Sequence, residues 1–177
     1  MKRYHFQKEE LTMLTHYKRP LLAIALAATT LTSVTLFSKP ASALFDKTRF
    51  ITDVGVAFFA FHHWVWNPYK HGAFQAGAPH RTAALVKAGL ATLFAVNRLK
   101  AADHLAHTSK SPLLHKLAGA IDHMEAAFAS VGQNLKNKVF DQKGIDNANN
   151  SLSSVDTLSK QAGMTIHDVP VKIPGVG

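Results

Sequence analysis

Apolar positions recur along this chain at helical spacing. The clearest run is Leu114, Leu117, Ile121, Met124, Phe128, Val131 and Leu135, alternating steps of three and four. Such a run is a single seam on one side of a helix, and it predicts a helix from Pro112 to about Lys138. Ser111 and Pro112 suit its start, as a cap followed by a first-turn proline. A second seam, Phe50, Val54, Phe58, Phe61 and Val65, predicts a helix over 47–66. Asn67-Pro68 is expected to end that helix, since a residue before proline avoids the helical region.

Between these two, residues 79–107 predict another helix. Its seam is Ala83, Val86, Leu90 and Leu93, and the same stripe continues as Asn97, Lys100, His104 and His107. One stripe thus turns from apolar to polar halfway along. The short link to the next segment predicts an antiparallel hairpin over about 79–138. A weaker fourth helix over 146–161 would bury Leu152, Val155, Leu158 and Ala162 amid Asn and Ser. No alternation long enough for a strand appears. The expectation is an all-α fold, a small bundle of three or four helices around a central helical hairpin. Residues 44–163 would form the domain. Residues 164–177, with Pro170, Pro174 and two glycines, read as an extended tail whose composition also suits disorder.

The first 43 residues carry a different pattern. Basic residues (Lys2, Arg3, Lys8, Lys18, Arg19) precede an apolar run from Leu21 to Phe37. Pro40 and the small-residue triplet Ala41-Ser42-Ala43 follow. These three parts, in that order, are what a cleavable signal peptide requires, with cleavage between Ala43 and Leu44. Met13 offers a second start with a shorter and more ordinary leader. A transmembrane anchor is the rival, but the run is short for one and a cleavage motif follows at once. The expected product is secreted or lies outside the cytoplasmic membrane, in a periplasm, wall or medium.

Charge and composition narrow the function. Removing residues 1–43 lowers the formal net charge from +9 to +5. That balance suits weak attraction to an anionic membrane or wall polymer, and falls short of a nucleic-acid-binding balance. With no cysteine in the chain, disulfides, thiol nucleophiles and thiolate metal sites are excluded. Serine-hydrolase elbows, phosphate loops and H-E-x-x-H are absent too.

Two features remain. Nine of the twelve aromatic residues after position 43 fall between Leu44 and Phe74. Within this cluster Phe59 and Trp66, seven residues apart, point away from the Phe50–Val65 seam. With Trp64 and Tyr69 they form a candidate contact surface for another copy of the chain, an envelope protein or a membrane surface. The second feature is histidine. His104 and His107 share a helix face, Asp103 stands ready to orient one ring, and His115 is a candidate third ligand. The first reading is a non-enzymatic envelope or secreted protein that works by interaction. The alternative is a small helical protein that binds a metal or haem through those histidines, although Lys100 in the same stripe opposes a cation.

Overall fold

The computed structural model describes residues 38–176, with side chains from residue 42 on; most of the expected signal peptide, residues 1–37, lies outside the described residues. The unit from Pro40 onward is an all-α bundle, with no strand among the described residues. Helix α1 spans Ser38–Phe61, a π-helix follows at His62–Trp66, and α2 covers Asn67–Lys70. Next come α3 (Arg81–Thr108), a single turn α4 (Pro112–His115), α5 (Ala118–Lys136) and α6 (Gln142–Gln161).

The long apolar seams behave as their spacing demands. All seven residues of the Leu114–Leu135 run are buried, as are all five of the Phe50–Val65 run. Phe50, Phe61, Phe74 and Phe128 are fully enclosed, each worth about 1.5–3 kcal/mol of transfer free energy. Phe61 of α1 stacks on Phe128 of α5, ring centroids 4.7 Å apart, so the two seams meet at that point. The α5 seam does not sit on one unbroken helix, however. Lys116 and Leu117 form a tight turn between α4 and α5, with Leu117 N–H donating to Leu114 O.

Helix α3 buries a different face from the one its large residues suggest. The buried stripe is Leu85, Ala88, Gly89, Ala91, Thr92, Ala95, Val96, Leu99, Ala102 and Ala106. Ala83 is exposed, and Val86, Leu90 and Leu93 are only half-buried. Small residues let α3 lie very close to α5. A Cβ at Gly89 would fall on the backbone nitrogen of Lys136 and 2.8 Å from its Cα. Gly132 returns the favour beneath Leu93. The two helices run antiparallel, since the start of α3 meets the end of α5, and they form the most extensive helix pair among those described. Length and composition would also let α3 cross a membrane, a test that the core helices of soluble proteins pass equally well.

Helix α1 lies antiparallel to α3. Asp46 accepts a hydrogen bond from Ser109 at 2.8 Å, and Arg98 stands 3.6 Å from the buried carboxylate of Asp53. Three helices end in the same motif, in which the sixth residue's N–H reaches back to the first residue's carbonyl. These bonds are Ala73 to Pro68, Val139 to Asn134 and Met164 to Ser159. The left-handed residue that the motif needs is Gly72 in α2 and Gly163 in α6, but Lys138 in α5.

Beyond Gly163 the chain is non-helical and packs on α1. Met164, Ile166, Ile173 and Val176 are buried, and Val169 N–H donates to Gly55 O at 3.0 Å. Gly55 makes this approach possible, because a Cβ there would strike the carbonyl oxygen of His167.

Candidate functional site

Proline 68 shapes the most unusual local geometry in the molecule. In a regular helix its ring would clash with the carbonyl four residues back, and its missing N–H would break the ladder. The expected outcome was a helix end at Asn67. Instead the chain stays helical through Lys70, with Asn67 at φ −62°, ψ −52°. The preceding turn widens: Asn67 N–H reaches the carbonyl of His62, five residues back. Proline 68 then falls in the first turn of α2, where no N–H is required. Val65, fully buried, anchors this π-turn in the core, and isolated π-turns are found disproportionately at functional sites.

A hollow of about 300 Å³ is lined by Phe59, His62, His63, Trp66, Asn67 and Asp168. Phe59 stacks on His63, centroids 5.2 Å apart and nearly parallel. His62 Nδ1 lies 3.0 Å from each carboxylate oxygen of Asp168. The hollow therefore combines an aromatic lining with an imidazole, a carboxylate and an amide.

The four aromatic residues expected at a contact surface are placed unequally. Trp64, Trp66 and Tyr69 are half-buried and pack against the core. Lys87 approaches the Trp64 ring at 6.0 Å, and Lys70 approaches Trp66 at 5.6 Å. Tyr69 leans on Phe140 and borders a second hollow of about 310 Å³ with Gln142 and Asp146. Burial first, then the nearby Asp146 carboxylate, holds the Tyr69 hydroxyl above its ordinary pKa. Phe59 is half-buried and lines the hollow, paired with exposed His63.

The histidines chosen for metal binding do not gather. His104, His107 and His115 are all exposed. His107 instead meets two carboxylates: its Nε2 is 3.2 Å from Asp103 Oδ1 and 3.6 Å from Asp122 Oδ1. Neither His104 nor His115 belongs to this group, which is the only potential metal-ligand trio among the described residues. Asp103 is thus a direct neighbour of His107, and Asp122, on the facing helix, is the partner that linear spacing does not reveal. The Asp168 partner of His62, 106 residues away, is equally hidden from any local pattern.

A larger hollow of about 560 Å³ lies between α5 and α6, lined by His123, Asn147, Asn150, Ser151 and Ser154 among others. Its serines are committed to their own helix: Ser151 and Ser154 donate to the carbonyls of Asn147 and Asn150, each at 3.0 Å. Size alone therefore does not make it the better site. No family model, curated protein or solved structure matches this chain.

Proposed function

We propose that the chain is exported and that its mature part works by binding, through the face of α1 and the π-turn that carries Phe59, His62, His63 and Trp66. The observation that carries this reading is the π-turn itself. It holds a helix open at the one aromatic-rich tract of the chain and turns a mixed aromatic and polar hollow to the surface. The lysines beside Trp64 and Trp66 and the net charge of +5 favour an anionic partner surface, a membrane or wall polymer. A second copy of the chain and an envelope protein are the competing partners. Export is supported by the order of the N-terminal segments, a basic stretch, an apolar run and a small-residue triplet. Cleavage between Ala43 and Leu44 removes none of the described core.

The test joins both parts. Native mass spectrometry of the product secreted by cells carrying the full gene reads its start and its oligomeric state. Co-sedimentation with vesicles containing anionic or only zwitterionic lipid then reads surface binding. Phe59→Ser with Trp66→Ser is expected to abolish anionic-vesicle binding while the helical circular dichroism persists. Because Trp66 also packs on the core, Phe59→Ser alone serves as the gentler variant. A mass that retains residues 1–43, or unchanged vesicle binding in both variants, would sink the proposal.

A further inference from the structure

The group formed by Asp103, His107 and Asp122 stands apart from the aromatic hollow, at the opposite end of the α3–α5 hairpin from Gly89. Asp103 and His107 are one turn apart on α3, and Asp122 comes from the first turns of α5. Their donor atoms all lie within 4.8 Å of one another. Around a cation with bonds of ~2.1 Å, donor atoms are separated by roughly 3.0–4.2 Å, so small side-chain adjustments suffice.

Two observations separate this group from an ordinary surface ion pair. Asp103 Oδ1 is buried without a hydrogen-bond partner, since the His107 ring, though 3.2 Å away, is not aligned to donate to it. The Asp103 and Asp122 carboxyls also lie within reach of one another, and Glu125 adds further negative charge. A buried acceptor and converging carboxylates are costly unless something positive sits among them.

We infer that Asp103, His107 and Asp122 bind a divalent transition-metal cation of the zinc class, which clamps the end of α3 to the start of α5. The imidazole sets the class. Hard cations such as calcium and magnesium take all-oxygen shells, whereas one imidazole with two carboxylates suits zinc and its neighbours. The exposed side of His107 and Asp122 leaves room for water to complete the shell. This inference is independent of the aromatic surface. The alternative that it must beat is a protonated His107 bridging two carboxylates with no metal.

Asp103→Asn separates the two. It removes one ligand charge and leaves His107 beside Asp122, so the zinc response of the wild type is expected to disappear, whereas an ion pair without metal has no zinc response to lose.

The experiment is thermal melting and calorimetric titration of the full chain after chelation, with zinc chloride as the probe and calcium and magnesium as controls. Zinc in ~100-fold excess over its dissociation constant is expected to raise the wild-type melting temperature by about 5 °C or more, at one ion per chain. Calcium and magnesium are expected to do nothing. His107→Gln and Asp122→Asn should each weaken zinc binding by about tenfold or more, and His104→Gln and His123→Gln by less than about twofold. Asp122 is half-exposed, so Asp122→Asn keeps the test open if another variant fails to fold. No zinc response in the wild type, a response unchanged by Asp122→Asn, or one lost in His104→Gln would each overturn the inference.

Discussion

The two faces that hold α1 and α3 in the bundle reach the same burial by opposite means. Where α3 meets α5, contact depends on what is missing: Gly89, Gly132 and a run of alanines bring backbone against backbone. Where α1 and the π-turn meet the bundle, contact depends on bulk: Phe50, Phe58 and Phe61 fill the space between the helices. The first face has no room to add an atom. The second has no spare atom to lose. Interiors packed at crystal-like density are sensitive in both directions, but the two directions call for different substitutions.

The strongest blow to the aromatic side is Phe61→Ala. Phe61 is fully buried and stacks on Phe128, so the change removes both its transfer free energy and a ring contact across two helices. Destabilisation of about 3–5 kcal/mol is expected in urea unfolding monitored by circular dichroism. Phe128→Ala should cost a similar amount, and the double variant less than the sum, because the two share one contact. Full additivity would mean that the seams of α1 and α5 are not joined there.

The matching blow to the small-residue side is Gly89→Ala. Alanine gains about 1 kcal/mol of helix propensity over glycine. Its methyl group would land on the Lys136 backbone, which cannot swing aside as a flexible side chain would. Overpacking of this kind typically costs about 1–3 kcal/mol, so a net loss of up to about 2 kcal/mol is expected in the same urea assay. A neutral or stabilising result would break the comparison, since it would mean that α3 and α5 can part freely.

These two faces were not equally legible in the sequence. Phe, Leu, Ile and Met at steps of three and four mark a buried stripe by contrast with their neighbours, and the α1 and α5 seams stand out for that reason. Helix α3 offers alanine on nearly every side, so the eye goes to Val86, Leu90 and Leu93, which lie at the flank of the true contact. His104 and His107 extend that flanking stripe and are exposed. The neighbours of His107 were only half legible. Asp103 is local to it, whereas Asp122 belongs to the next helix and looks, by spacing, like ordinary surface charge. Pro68 misled for a third reason. The rule that proline ends a helix assumes an α-helical register, and a single π-turn escapes it.

Between the two extremes lies Gly55, where a small residue sits on the aromatic side. Its absent Cβ admits the carbonyl of His167 and the side chain of Val169 from the C-terminal segment. That segment is non-helical and is held by the burial of Met164, Ile166, Ile173 and Val176, a backbone bond to Gly55 and the His62–Asp168 pair, so its backbone can yield locally where helix α5 cannot. Gly55→Ala is therefore expected to cost less than Gly89→Ala, about 1 kcal/mol, and to expose residues 164–176 first. Hydrogen exchange at the Val169 amide reads this directly. Faster exchange there, with α5 amides unchanged, is the expected result. Uniform acceleration across the bundle would mean that the segment is integral to the fold and not a strap laid over it.

The smallest effect expected is a gain. Helix α5 ends with Lys138 at φ 65°, a left-handed conformation that costs a side-chain-bearing residue about 1 kcal/mol. The same motif ends α2 and α6 with Gly72 and Gly163, so the position tolerates glycine in this fold. Lys138 is exposed and its backbone N–H already donates to Leu135 O, so Lys138→Gly keeps the hydrogen bond and removes the strain. Glycine's greater freedom in the unfolded chain offsets part of this. A net stabilisation of about 0.5 kcal/mol is expected, read as a rise in the urea midpoint at unchanged slope. The position also bears on the comparison of the two faces, because Lys138 lies two residues beyond Lys136, against which Gly89 packs. If Lys138→Gly stabilises the chain on its own but not in the Gly89→Ala background, the end of α5 has already moved to admit the methyl group, and the close face is less rigid than its contacts imply. If the gain persists undiminished, α5 has held its place and the strain stays at the Gly89 contact.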